Sequence, residues 1–396
     1  MKFAFIIFKY FPFGGMQRDM LRTASELVKR GHQVEIFTLS WQGQRPDENP
    51  PENIKVHELP QTGWFNFSRY QKFIDATFAH INAENFDFVF GYNRMANLDA
   101  HFAADPCFVE RAEKQRHWLY RLTPRYKWFS ACEKAVFSKE SATEILAVSL
   151  TEKPHFQSWY GTQNARFYFI PPFLSPERFE LPERFQIEDK TAMRKYLRDA
   201  FGFAENDFVY LLTGSGFAMK GLDRAIEALA AMPKHLQANT KLVAVGQDNP
   251  KHFLKLAKKL GVANHVVISK GRPDTPQLMQ GADVCVHPAY RENTGLVILE
   301  GMACGAPMLV TQTCGYAHYV AEARAGLVNE APFNQMSFSA QWTMMRQADD
   351  EQLQKWAANG LKKAREIMLA NDGSAEAKIL IKLAEAKKQK AADRAQ

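Results

Sequence analysis

Two glutamates eight residues apart, Glu292 and Glu300, flank Asn293-Thr294-Gly295 within the stretch HPAYRENTGLVILEG, residues 287–301. A polar loop, a glycine and then an apolar run predict a helix opening near Gly295. Glu292 then lies in the loop before that helix and Glu300 about a turn and a half along it. Carboxylates so placed can accept hydrogen bonds from sugar and ribose hydroxyls, and the Asn293–Gly295 amides can face an anion. A second segment, TGSGFAMKG over 213–221, puts small residues after a strand and Lys220 at the entry to a helix. It lacks Walker A spacing, but backbone that a ligand can approach, beside a lysine, suits a diphosphate. The third is Phe13-Gly14-Gly15, a turn before a helix whose free amides could meet phosphate or sugar. Without G-x-G-x-x-G spacing it is no dinucleotide fingerprint.

Other reactive side chains read as structural. His101, His117, His287 and His318 are scattered without metal-ligand spacing. Ser215 sits in G-x-G rather than G-x-S-x-G, which argues against hydrolase chemistry. Five cysteines, an odd number with no C-x-x-C pair, fit neither a disulfide framework nor a zinc module; Cys304 and Cys314 read as small core residues. No metal site is expected.

The elements that must carry these loops alternate between strand and helix. Phe3–Phe8, Val34–Leu39, Ile54–Leu59, Phe86–Phe90 and Ile145–Val148 read as strands, with a helix over Met16–Arg30 facing inward through Leu21, Ala24, Leu27 and Val28. Pro46–Pro51 reads as a polar loop, and the proline-rich YFIPPFLSP, 168–176, as a stiff connector. A second series follows at Phe208–Leu212, Lys241–Val245, His265–Ile268, Asp283–Val286 and Pro307–Thr311. The α/β pattern predicts two Rossmann-like parallel-sheet domains, 1–170 and 171–370, facing each other across a cleft. Residues 371–396 read as a helix, with Ile379, Leu380, Leu383 and Ala386 on its apolar face, expected to pack back on the N-terminal domain.

With 396 residues, 46% of them hydrophobic, the chain can build sizeable cores, which excludes wholesale disorder. A net charge of +7 suits phosphates or anionic lipid better than bulk nucleic-acid binding. The short apolar run at the N-terminus reads as a first strand rather than a signal sequence, and no segment reads as a membrane span. Glu110–Lys139 interleaves eight cations with Trp118, Tyr120, Tyr126, Trp128 and Phe129 against only three glutamates. That composition reads either as a solvated helix pair around Pro124 or as a surface for an anionic membrane leaflet.

Glu292-x7-Glu300, Lys220-Gly221 and Gly14-Gly15 together resemble the retaining glycosyltransferases of family four, which have the GT-B fold. KYFPFGGMQRD, LAKKLGV, HPAYRENTGLVILEGMACGAPMLVT and CGYAHYV are similar to segments of its lipopolysaccharide-core glucosyltransferases from Gram-negative bacteria, a likeness running from the first strand to about residue 325. The resemblance implies a UDP-sugar donor, a lipid-linked core oligosaccharide acceptor, no metal or other cofactor, and work at the cytoplasmic face of the inner membrane. By position, it implies that Glu300 holds the ribose and that Glu292 with Asn293, Thr294 and Gly295 holds the donor sugar. Lys220 would neutralise the diphosphate, Arg272 would lie near the base, Gly14 and Gly15 would approach the diphosphate, and Asp19 and Asp99 would line the acceptor side. Such chains carry arginine before the lysine where Met219 stands here, which makes Arg291 and Arg18 candidates to compensate. Retention is expected through front-face attack, with double displacement through Asp99 or Asp19 the alternative. A family-four transferase with another donor and lipid-linked acceptor, or a silent nucleotide-sugar-binding scaffold, are the rival readings.

Overall fold

A computed structural model describes residues 1–12, 14–48, 53–175, 179 and 187–395. Phe13, the Pro50–Pro51 end of the polar loop and Pro176 of the connector lie outside them. The chain forms two compact units: Met1–Pro171 with Asp372–Gln396, and Pro172–Asn371.

In the N-terminal unit, β1 (Lys2–Ile7), β2 (Gln33–Thr38), β3 (Ile54–Glu58), β4 (Phe88–Gly91), β5 (Ala100–Ala103), β6 (Glu144–Ala147) and β7 (Phe167–Phe169) form one sheet in the order β3-β2-β1-β4-β5-β6-β7. Every pairing is parallel. Phe3 to Ile7 is buried throughout, as a strand covered by helices on both faces must be. Helix α1 (Gly15–Lys29) buries Met20, Ala24 and Leu27. Leu21 and Val28, expected on the same face, flank it and are only partly buried, so the stripe centres one residue earlier than its sequence suggested. Helix α2 (Asn66–Ala83) covers the opposite face with Phe73, Ile74 and Ile81.

The C-terminal unit contains β8 (Phe208–Thr213), β9 (Thr240–Val245), β10 (Val266–Ser269), β11 (Val284–His287), β12 (Met308–Thr311) and β13 (Gly326–Asn329), in the order β10-β9-β8-β11-β12-β13 and again all parallel. The chain enters each sheet near its middle and reverses direction of winding there, between β1 and β4 in one unit and between β8 and β11 in the other. At such a switch point the loops leaving adjacent strands at their carboxyl ends diverge and open a crevice where ligands bind. Gly14-Gly15 follows β1, the glycine loop follows β8, and the Glu292 loop follows β11.

The last helix, Ala375–Ala395, belongs to the N-terminal unit. Ala377, Leu380, Leu383 and Ala384 join the core that α1 closes, whereas Ala386, expected on that face, is exposed. Lys387 and Lys388 reach Asp99 at 2.7 Å and Asp87 at 2.9 Å, which ties the helix to the amino edge of the sheet.

Candidate active site

The carboxyl edge of the C-terminal sheet is built by fastening the loop after β8 to the loop after β11. Gly221 adopts a left-handed φ of +74°, and a Cβ there would lie 2.1 Å from the Pro288 carbonyl oxygen, so no other residue permits this approach. The Tyr290 amide donates to the Met219 carbonyl at 2.9 Å. Arg224, buried, donates to the carbonyls of Pro288 and Ala289 and has its guanidinium 3.6 Å from the ring centroids of both Tyr290 and Phe333. From the other side, the loop after β12 holds the second loop: Thr311 and Thr313 hydroxyls donate to the Ala289 carbonyl, and backbone bonds join Glu292 to Thr313 and Gly315.

This scaffold places three charged groups in a row. Lys220 Nζ lies 2.5 Å from Glu292 Oε1, and His287 Nε2 lies 2.5 Å from Glu292 Oε2. His287, the last residue of β11, is 1% exposed. Burial disfavours its charged form, yet the contacts to Cys314 and Glu292 outweigh that and lift the imidazole to about 9. Burial likewise pushes the Glu292 carboxyl up, but the hydrogen bond and charge of His287, then Lys220, bring it down to about 2. At neutral pH the row is therefore cation, anion, cation. Donor atoms of His287, Glu292 and Cys314 lie within 4.8 Å of one another, a spacing that a metal could use. The Glu292 carboxylate there is held between Lys220 and His287.

The reading of His287 as one of several scattered structural histidines is thus corrected: it is part of the charged row. Its signal in the sequence was its place directly after the strand read over Asp283–Val286, five residues before Glu292. The other three do read as structural. His101 is buried beside the Gly91 carbonyl and pushed down to about 3 by burial, His117 caps the turn Trp118–Leu122, and His318 bonds the Gly315 carbonyl.

The glycine loop departs from expectation in one respect. Asp248, in the loop after β9, accepts hydrogen bonds from the amides of Gly216 and Phe217, so the amides that glycine density suggested for phosphate are occupied by a carboxylate. The group this loop offers an anion is the Lys220 ammonium. Met219 beside it is 52% exposed.

Gly295 caps the helix Leu296–Ala303 with a left-handed φ of +81°; Asn293 and Glu300 are buried beside it, and Arg291 is half-buried. The Tyr316 amide bonds the Thr294 carbonyl at 2.7 Å. Arg272 follows β10 and is held flat by a two-pronged bond to Asp274, at 2.8 and 2.6 Å, with the Tyr196 hydroxyl on the same carboxylate. The Arg272 hydrogen bond brings the Asp274 carboxyl down to about 2.

On the N-terminal unit, Gly14 caps α1 without a side-chain bond, and no acidic residue stands in the first turn. Gly15 is exposed, a Cβ there would meet nothing within 4 Å, and Arg18 is exposed on the next turn. Asp19 is bonded to Arg22 at 2.6 Å; Arg22 also reaches the Gly373 carbonyl and lies 3.9 Å from Glu376. Tyr92, just after β4, donates to Glu376 at 2.7 Å. Asp99 does not belong to this group. It precedes β5, accepts from the Val89 amide at 2.7 Å and pairs with Lys387. It therefore caps the amino edge of the sheet, opposite the edge that carries Gly14 and Gly15, and the expectation of an acceptor-side or nucleophilic Asp99 is withdrawn. The sequence carries no signal that orients it, because the strand Ala100–Ala103 is four residues long and shows no period.

The chain has known relatives in sequence and fold. The family model for glycosyl transferases group 1 matches residues 193–363, and that for glycosyltransferase family 4 matches residues 13–178. The lipopolysaccharide glucosyltransferase WaaG of Escherichia coli K12 is 40% identical over 332 residues, covering 84% of this chain and 86% of WaaG. A crystal structure of WaaG, described as a glycosyltransferase involved in lipopolysaccharide biosynthesis, superposes with a TM-score of 0.84 at 37% identity over 96% of this chain and 99% of that one. The Anabaena protein HepE in complex with UDP-glucose shares the fold, with a TM-score of 0.66 at 17% identity over 99% of this chain and 100% of that one.

Proposed function

From the premise that this chain belongs to the group 1, family 4 glycosyltransferases and has their GT-B fold, we propose that it transfers glucose from UDP-glucose to the inner core of lipopolysaccharide, with retention of configuration and without a metal. The observation that carries the reading is the Lys220–Glu292–His287 row at the switch point of the C-terminal sheet. WaaG's own activity supports the glucosyl group and the acceptor class, and the fold shared with a UDP-glucose-binding protein supports the donor.

In this reading Glu300 takes the ribose hydroxyls, Arg272 lies by the base, and Glu292 with Asn293, Thr294 and Gly295 takes the donor sugar. Glu292 is held anionic, so it accepts hydrogen bonds from sugar hydroxyls and does not act as a general acid. Lys220 meets the diphosphate as it departs and offsets the charge that grows on it. Moving toward phosphate loosens its hold on Glu292, and His287 keeps the carboxylate aimed meanwhile. The acceptor hydroxyl's proton goes to the departing diphosphate in a front-face attack. Gly14, Gly15 and Arg18 are the phosphate contacts we assign to the N-terminal unit, and Asp19 the acceptor contact.

We place the enzyme on the cytoplasmic face of the inner membrane, held by Glu110–Lys139. Among the described residues no helix is long and apolar enough to cross a membrane. All eight cations of this segment are exposed; Lys114 and Arg121 pair with Glu110 and Glu113, while Glu133 is buried against Arg94. Trp118, Leu119 and Leu122 are exposed beside them, with Trp118 at 62%. Apolar side chains ringed by cations suit an anionic lipid surface.

Met219 is the observation that favours a silent nucleotide-sugar binder. Incubating purified protein with UDP-glucose and a heptose-containing core acceptor separates the two readings: transfer supports the enzyme, and UDP binding without transfer supports the binder.

A further inference from the structure

A second cluster of ionisable groups lies on the N-terminal unit beneath α2. Glu35 on β2, His57 on β3, His80 near the end of α2 and Glu84 at its C-cap converge there. Lys2, opening β1, takes one oxygen from each carboxylate: its Nζ is 3.0 Å from Glu35 Oε1 and 2.7 Å from Glu84 Oε2. The other two oxygens turn toward the histidines, Glu35 Oε2 lying 2.5 Å from His57 Nε2 and Glu84 Oε1 3.0 Å from His80 Nε2. Ligand atoms of Glu35, His57 and His80 all lie within 4.8 Å of one another. His80 Nε2 is not aligned with Glu84 for a hydrogen bond and, though buried, makes none among the described residues. Phe37 stacks on His57 at 4.7 Å and meets His80 edge-on at 5.2 Å, which limits both rings to few orientations.

We propose that Glu35, His57 and His80 form a site for a borderline divalent cation of the Zn²⁺ class, with Glu84 at hand as a fourth donor. Two imidazole nitrogens and a carboxylate are a donor set that Zn²⁺ takes in proteins. His80 Nε2 sits 3.0 Å from Glu84 Oε1 without an aligned hydrogen bond, and a metal would engage it directly. Binding would replace the hydrogen bond between His57 Nε2 and Glu35 Oε2. Lys2 would stay bonded to the outer oxygens as the group that orients the carboxylates. Zinc distances of about 2.0–2.2 Å require the donors to draw inward. Glu84, at the end of α2 with its side chain 39% exposed, has room to do so. The ion would clip the edge strand β3 and the end of α2 to β1 and β2. Its residues share none with the Lys220–Glu292–His287 row, so the proposal stands apart from the transferase reading.

The test uses the full chain, stripped by chelator. Zn²⁺ is titrated calorimetrically and Co²⁺ by visible absorption, with thermal melting in parallel. The proposal expects one saturable equivalent of Zn²⁺, a raised melting temperature, and cobalt bands of nitrogen and oxygen ligation without a thiolate charge-transfer band. His80→Gln and His57→Gln should each abolish that equivalent. His80 lies partly exposed on a helix, so His80→Gln should keep the metal-free melting temperature and show that the fold is intact. Absence of saturable binding would mean that Lys2 and the His57–Glu35 hydrogen bond satisfy the cluster unaided. Binding that survives both substitutions, or a thiolate band, would place the metal elsewhere; each result overturns the proposal.

Discussion

Lys220 and Glu292 are 72 residues apart in the chain, and their side chains meet at 2.5 Å because one turn after β8 and one loop after β11 leave neighbouring strands at the same edge. The contact depends on Gly221, whose missing side chain lets the two loops touch backbone to backbone. Gly221→Ala should therefore separate them. We expect a stability loss of about 1–3 kcal/mol, the usual cost of forcing a left-handed, crowded glycine position. Transfer should fall more than UDP binding does, since Lys220 and Glu292 lose their register together. Melting curves and kinetics of the variant check this.

Glu292→Ala should abolish transfer while leaving UDP binding nearly intact. The carboxylate is assigned to the sugar, where its loss removes transition-state contacts without touching the nucleotide. Near-normal turnover by the purified variant would refute the assignment.

The pairing of His287 with Glu292 also sets a pH signature. The His287 imidazole is lifted from 6.5 to about 9, so its stabilising contribution is fully present below 6.5 and drains as pH rises through 9. The Glu292 carboxyl is lowered from 4.5 to about 2, so its contribution is fully present above 4.5 and is lost as pH falls through 2. Both operate in full between these limits, from 4.5 to 6.5. On the alkaline limb the wild-type chain should lose about 3 kcal/mol between pH 6.5 and 9, and His287→Gln should flatten that limb. Denaturant unfolding across this range makes the comparison, and identical slopes would mean His287 is neutral in the folded protein.

Met219 leaves Lys220 as the one cation this loop offers the diphosphate. A charge-assisted hydrogen bond contributes about 1.5–3 kcal/mol, roughly ten- to a hundredfold in affinity. If Arg291 supplies the second cation, Arg291→Ala should weaken UDP binding by that factor, and adding Met219→Arg should restore much of it. Calorimetric titration of UDP into the three proteins decides, and unchanged affinity in Arg291→Ala removes the compensation.

Reversing the charges of Arg121, Arg125 and Lys127 to Glu should release the protein from anionic vesicles, and salt should weaken wild-type binding in the same way. Each cation near such a surface contributes about 1 kcal/mol, and salt shortens its reach. Cosedimentation indifferent to both would contradict the membrane assignment.

Most of the two-sheet layout could be read from the sequence because its strands are continuous apolar runs separated by amphipathic helices. The exceptions are instructive. Ala100–Ala103 went unread because it is four residues long and contains His101, a histidine whose neutrality in the core is a product of burial. That omission left Asp99 unoriented and made it a candidate for the wrong edge. Gly326–Asn329 and Phe167–Phe169 are edge strands, too short to show a period. The segments that carry Lys220, Glu292 and Glu300 stood out by their glycine-rich and polar composition. The partnership with His287 did not, since it depends on which way a strand's last side chain points, and neither did Asp248, which reaches the glycine loop from another strand.

The central claim is most directly tested by mass spectrometry of a heptose-containing lipopolysaccharide core acceptor after incubation with the purified protein and UDP-glucose. The account predicts addition of a single hexose by the wild-type protein, in the presence of chelator as well as without it, and no addition by Glu292→Ala or Lys220→Ala. An acceptor left unmodified by a wild-type protein that binds UDP, or one modified equally by the variants, would contradict it.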